Sequence, residues 1–199
     1  QLMAMDVSAN YTLATNIDMS ADFNTVSGLW ATDTGAYTGR GFVPVGSYGG
    51  RFNGSFDGQG HSISGLTIAR PNQEGVGLFS YGYAVIRNVG LINAVISGGN
   101  SVGGLVGVNY GSISHSFVSG TVQGSYDVGG LVGHNFYGDI SNSYATGGVT
   151  ATDQSAGGLV GNNANSSISQ SYATGLVQGS YDVGGLVGDN YDGKVTDRF

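Results

Sequence analysis

Cysteine is absent from the 199 residues and proline occurs only twice. With no thiol, neither a disulfide framework nor a thiolate metal site exists, and with so little proline the chain is not a polyproline or collagen-like rod. Positive charge is scarce as well. Lys194 is the single lysine and five arginines are scattered, leaving a formal net charge of −7. That removes the counterion release on which nucleic-acid and anionic-membrane binding depend, so no nucleic-acid partner is expected. No run of about 18 apolar residues occurs, so nothing spans a bilayer as a helix and no direct membrane insertion is expected. Glu74 is the only glutamate and stands far from any pair of histidines one helical turn apart, which excludes a zinc-peptidase helix. His61, His115 and His134 are isolated in sequence. No metal, cofactor or catalytic residue is expected.

What the chain does have is glycine, 38 residues of it, set in register rather than scattered. The pentad Gly103-Gly-Leu-Val-Gly107 returns at Gly129 to Gly133, Gly157 to Gly161 and Gly184 to Gly188, in steps of 26, 28 and 27. A fixed period of this size marks a repeat architecture in which each unit buries its apolar face against its neighbours. Four further positions behave as ladders. They are Asn109, Asn135, Asn163 and Asn190; Ile113, Ile140, Ile168 and Val195; Phe117, Tyr144, Tyr172 and Phe199; and Val122, Val149 and Val177. Length differences fall between Asn and Ile and between Val and the next Gly, as turns would have it. Ile68 and Val95 extend the Val ladder backwards in steps of 27, and Ile86 stands 27 before Ile113.

Three short β runs per period, glycine at the corners and no helical periodicity predict an all-β fold. The expected architecture is a right-handed parallel β-helix of about 27 residues per coil. Residues 1–75 read as N-terminal cap coils with a long loop at 20–41, from which Trp30 folds back to cover the first coil, and residues 76–199 as the regular coils. The whole is one continuous solenoid, and both ends read as cuts from something longer: Gln1 follows no signal-peptide pattern and Phe199 falls inside a repeat. Stacked Asn side chains are expected to bond to one another and to turn backbone. Period two through Ile140-Ser-Asn-Ser-Tyr-Ala places Ser141, Ser143 and Ala145 on one face and Asn142 and Tyr144 on the other. His115, Asn142, Gln170 and Asp197 share one solvent-facing register.

The unit from Gly157 to Val177, GGLVGNN followed by ISQSYATG and Val, resembles the GLUG motif of large bacterial surface proteins. The stretch Tyr11 to Met19, then Phe42-Val-Pro-Val-Gly46 and Gly54-Ser-Phe-Asp-Gly-Gln-Gly-His61, looks like the segment preceding such repeats in filamentous-haemagglutinin-like exoproteins. The resemblance implies a secreted, extracellular β-helical segment at the bacterial cell surface, serving adhesion and biofilm. Immunoglobulin A1-type metallopeptidases carry the same motif outside their catalytic domain, so a stalk appended to a surface hydrolase is the alternative.

One pattern points to a ligand. The twelve residues from Val122, VQGSYDVGGLVG, recur word for word from Val177, which is two coils on. Tyr126 with Asp127 and Tyr181 with Asp182 are therefore expected on one edge, about 9.6 Å apart at about 4.8 Å per coil. A flat ring beside a carboxylate suits a sugar, and a glycan or surface-protein receptor is the expected partner. Alone, the chain is expected to be a monomer that associates end to end through its open coil.

Overall fold

The computed structural model describes residues 2–20 and 40–196. Trp30, Asp197, Phe199 and nearly all of the loop at 20–41 lie outside them. After a single helical turn at Leu2–Met5, the described chain is a parallel β-solenoid with three faces. The first face stacks seven short strands, Asn10–Thr12, Ser55–Asp57, Val85–Arg87, Ser112–Ser114, Asp139–Ser141, Ser167–Ser169 and Lys194–Thr196. A second, broad face carries the longest strands, among them Gly90–Gly98, Phe117–Gly129 and Tyr144–Gly157. The third stacks Phe79–Gly82, Val106–Asn109, Val132–Phe136, Val160–Ala164 and Val187–Tyr191. Pairing between coils is parallel; the exception is Arg40–Gly41, which lies antiparallel on the edge of Thr67–Arg70.

Each ladder becomes a vertical row. Tyr11, Phe56, Ile86, Ile113, Ile140, Ile168 and Val195 succeed one another on the first face, and the run from Phe56 to Ile168 is buried. Leu105, Leu131 and Leu159 of the pentads close the core at the opposite corner with no exposure. Two polar rows run beside the apolar ones, and both are saturated. Asn109 donates to Asn135 at 2.8 Å, Asn135 to Asn163 at 2.9 Å and Asn163 to Asn190 at 2.8 Å. Asn109 and Asn135 also donate to the carbonyls of Gly111 and Gly138 in their own turns. Ser116, Ser143 and Ser171 form the second row. Each hydroxyl donates to the carbonyl two residues back, and those of Ser143 and Ser171 accept the N–H of the serine one coil below. A buried polar group with every partner in place costs little, whereas an orphaned one costs about 1–3 kcal/mol.

The pentad glycines follow from a close approach. A Cβ on Gly133 would strike the backbone of Ser101 and Val102, and one on Gly161 the backbone of Asp127 and Val128. The two legs flanking Gly130-Leu131 thus pack main chain to main chain. Any side chain there would push them apart.

Three expectations need correction. Val95 is not in the Val row; it is 53% exposed and pairs with Thr121, while Ile96 takes the place between Ile68 and Val122. A bulge is the cause: Leu91 to Ala94 spans the same rise as Val118 to Gly120, with Asn93 at φ 53° holding the extra residue. The length difference between Val and the next Gly is also absorbed inside a paired strand, where Ala151 to Gln154 opposes Gly124 to Tyr126. Last, Ser141 does not share a face with Ser143 and Ala145. Ile140, Ser143 and Ala145 are buried and Ser141 is partly exposed, because Asn142 at φ 47° turns the corner and resets the alternation. His115 and Gln170 sit in the same left-handed, exposed position.

Candidate functional site

The last leg of the broad face presents a row of Asn100, Tyr126, Gln154 and Tyr181, each paired with the next coil in register. Val102, Val128 and Ala156, two residues further on, are buried, and the left-handed Ser101, Asp127 and Ser155 between them (φ 52°, 50° and 58°) reverse the period-two alternation, so the row itself points outward. Tyr126 is 44% exposed and Tyr181 71%, with Gln154 between them. The two rings line one depression of about 220 Å³, whose other walls are Thr152, Asp153, Gln154 and Ser180. Gln154 donates to the Asp182 carboxylate at 2.8 Å, and the Ser180 hydroxyl donates to the Thr152 carbonyl. The bulge at Thr152-Asp153 projects beside the rings and supplies the carboxylate there.

The two Tyr-Asp pairs are not equivalent, although their sequences are identical. Asp182 is exposed beside Gln154. Asp127 turns the other way. Although both residues share a φ of 50°, the Asp127 side chain lies in the cleft between the two legs, retains 22% exposure and faces His134 Nδ1 at 3.5 Å. Burial lifts its carboxyl above the ordinary range, against the pull of His134 and of hydrogen bonds with Asn162 and Ser155. His134 is lowered by the same burial, against the attraction of Asp127 and Asp189. His134, Asn162 and Asp189 form one vertical row, so this is a stacked polar seam inside the cleft. The structure therefore joins Tyr126 and Tyr181 at one depression, leaves Asp182 outside its lining but bonded to Gln154, and withdraws Asp127 from it. Gln154, Thr152 and Asp153 were missed because their coil departs from the duplicated twelve residues.

A second aromatic row was also missed. The residue after each position of the Asn register gives Tyr83, Tyr110, Phe136, Ala164 and Tyr191 in vertical succession, aromatic except at the buried Ala164. Tyr83 and Tyr110 stack at 4.4 Å with planes 6° apart, and Phe136 meets Tyr110 edge-on at 5.5 Å. Its signal, an aromatic one step past three of the four ladder asparagines, is present in the sequence once the Asn ladder is drawn.

Among the described residues no group of three or more His, Asp or Glu is placed to hold a metal ion. No helix there is long and apolar enough to cross a membrane. Against this geometry, the GLUG motif model matches residues 98–123, 124–150 and 152–177. The chain carries GLUG repeats. Their boundaries fall on the broad face, so one motif begins beside the leg that bears the tyrosine row and runs once around the coil. Halomucin of Haloquadratum walsbyi is 37% identical over 131 residues, which is 61% of this chain and about 1% of halomucin. A crystal structure from Bacteroides ovatus, provisionally named an immunoglobulin A1 protease, superposes with a TM-score of 0.68 over 94% of this chain and 57% of that one. At 23% identity that likeness establishes a shared fold. These matches bear on the GLUG solenoid, and the haemagglutinin-like resemblance of the lead-in coils stands outside them.

Proposed function

We propose that this chain is a non-catalytic, adhesive segment of a secreted, cell-surface exoprotein, and that the depression between Tyr126 and Tyr181 holds a glycan. The observation that carries the reading is the pair of exposed rings two coils apart, with an amide, a carboxylate and two hydroxyl side chains around them. An aromatic ring covers the apolar face of a pyranose, and amide and carboxylate groups bond to its hydroxyls. Two steps of about 4.8 Å set the rings about 9.6 Å apart, a separation of the order of a disaccharide. Because the coils stack rigidly, the rings are held in place before the ligand arrives, which limits the entropy lost on binding. The test compares the parent with a Tyr126→Ala/Tyr181→Ala double variant on an array of host, bacterial and matrix glycans. Binding by the parent that falls at least about tenfold in the variant is expected. Equal binding by both, or none by the parent, overturns the site.

The alternative is a stalk carried by a surface hydrolase of the immunoglobulin A1 metallopeptidase type. It has the support of the Bacteroides ovatus fold, of which this chain spans 57%. A catalytic domain in the flanking sequence of the same polypeptide would favour it, and further repeats would favour adhesion.

A further inference from the structure

Arg51 sits at the foot of the second aromatic row in a setting unlike that of Arg87 or Arg70. Arg87 is paired with Asp57 at 2.9 Å, and Arg70 is buried to 2% exposure. Arg51 has no carboxylate partner among the described residues. Three tyrosine rings surround it instead. Its Cζ lies 5.2 Å from the centroid of Tyr48, 4.8 Å from that of Tyr83 and 5.4 Å from that of Tyr110. Nη1 donates to the Tyr83 hydroxyl at 2.8 Å, and Nε is buried with no acceptor. Nη2 is neither buried nor bonded among the described residues.

The guanidinium is thereby held among three rings, with Nε buried and Nη1 committed to Tyr83, while Nη2 alone stays open. The aromatic quadrupoles offset part of the cost of leaving water without neutralising the charge. An oxyanion is the partner that the open nitrogen of a charged guanidinium fits best, and a carboxylate supplies one in a charge-assisted hydrogen bond. Beside it, Tyr48 is 71% exposed and Tyr83 43%, so the surface flanking the charge is aromatic. On the far side of Tyr48, which contacts Tyr81 edge-on at 5.7 Å, the only glutamate, Glu74, accepts the Tyr81 hydroxyl at 3.1 Å. In a chain of net charge −7, a rigid and unpaired cation framed by exposed rings is a specific feature, not part of a general field.

We propose that this corner is a binding site for a carboxylated sugar, with Arg51 pairing the carboxylate and the Tyr48 ring covering the pyranose face. The site shares no residue with the Tyr126 and Tyr181 depression, so either can fail without the other.

The test is a titration of the isotopically labelled chain, followed by NMR, with D-glucuronate, D-glucose and acetate in parallel. Glucuronate is expected to shift resonances of Tyr48, Arg51 and Tyr83 with a dissociation constant in the millimolar range. Glucose and acetate should bind at least about tenfold more weakly, since each supplies half of the contact. Arg51→Gln should weaken glucuronate binding at least about tenfold, and Arg51→Lys, which keeps the charge but loses the planar group that the three rings and Tyr83 hold in place, should weaken it nearly as much. Tyr126→Ala/Tyr181→Ala should bind glucuronate like the parent. No glucuronate shift at these residues up to about 50 mM, or acetate binding as tightly as glucuronate, overturns the proposal. So does unchanged affinity in Arg51→Gln. Should Arg51→Gln not fold, the three ligands on the parent chain decide alone.

Discussion

Asn135 and His134 are adjacent in sequence and point to opposite sides of one strand, and their fates show how much stacking adds to residue chemistry. Asn135 is wholly buried and saturated by Asn109, Asn163 and the Gly138 carbonyl. His134 is half-buried in the outer cleft, its Nε2 buried and without a partner among the described residues. Burial favours the neutral imidazole and lowers its proton affinity, so its contribution to stability is complete above the ordinary value of 6.5 and is lost as pH falls through the lowered folded value. Asp127 is shifted the other way. Its contribution is present below 3.8 and is lost as pH rises through its raised value. Replacing the imidazole by the residue that the next coil carries, His134→Asn, removes the first penalty, and loss of the His134 attraction raises Asp127 further. Both changes favour the variant in acid. Urea midpoints measured at pH 7.5 and pH 5 should show the variant gaining on the parent at the lower pH; a gap that stays constant or reverses would contradict this account of the seam.

At the scale of the element, the corner of each coil is set by where a Cβ cannot be placed. Gly133 lies against the main chain of Ser101 and Val102, which cannot swing aside as a side chain can. Gly148, on the broad face, meets only the Thr121 methyl at 3.9 Å. Gly133→Ala should therefore destabilise by about 2–4 kcal/mol through forced separation of two strands. Gly148→Ala should be neutral or stabilising by up to about 1 kcal/mol, since it restricts the unfolded chain more than the folded one. Thermal melts of the two variants check the contrast, and equal loss in both would mean that close packing at the pentad is not what retains its glycines.

The whole molecule has no centre. Each coil touches the coil above and the coil below, so stability is close to a sum of neighbour terms. Ile140→Asp places a charge between Ile113 and Ile168, at 1% exposure, and should cost roughly 4 kcal/mol or more. Its effect should be local. Amide exchange should quicken in Ser112–Ser114, Asp139–Ser141 and Ser167–Ser169, while Ser55–Asp57, two coils below the nearest of these, keeps its protection. The matched change His115→Asn, at an exposed residue in a left-handed conformation that Asn tolerates, should alter neither exchange nor stability. Uniform loss of protection across all coils in Ile140→Asp would show one cooperative core in place of a stack.

Much of this was legible in the letters because a solenoid writes its vertical contacts as a period. The pentads, the Asn row and the Ile row are each one residue type recurring at the coil length, and in-register stacking turns recurrence directly into contact. The Tyr126 and Tyr181 alignment was legible for the same reason. Within-coil features were not. The bulges at Asn93 and Thr152-Asp153 and the left-handed residues at Asp127 and Asn142 change phase by one step, and a one-step change moves a side chain from solvent to interior. That is why Val95 fell outside its row, why Asp127 left its tyrosine, and why Gln154 entered the site. The Arg51 corner lay further from reach. It joins Arg51 to rings one and two coils above it, and the irregular spacing of the first coils carries no period from which such a meeting can be read.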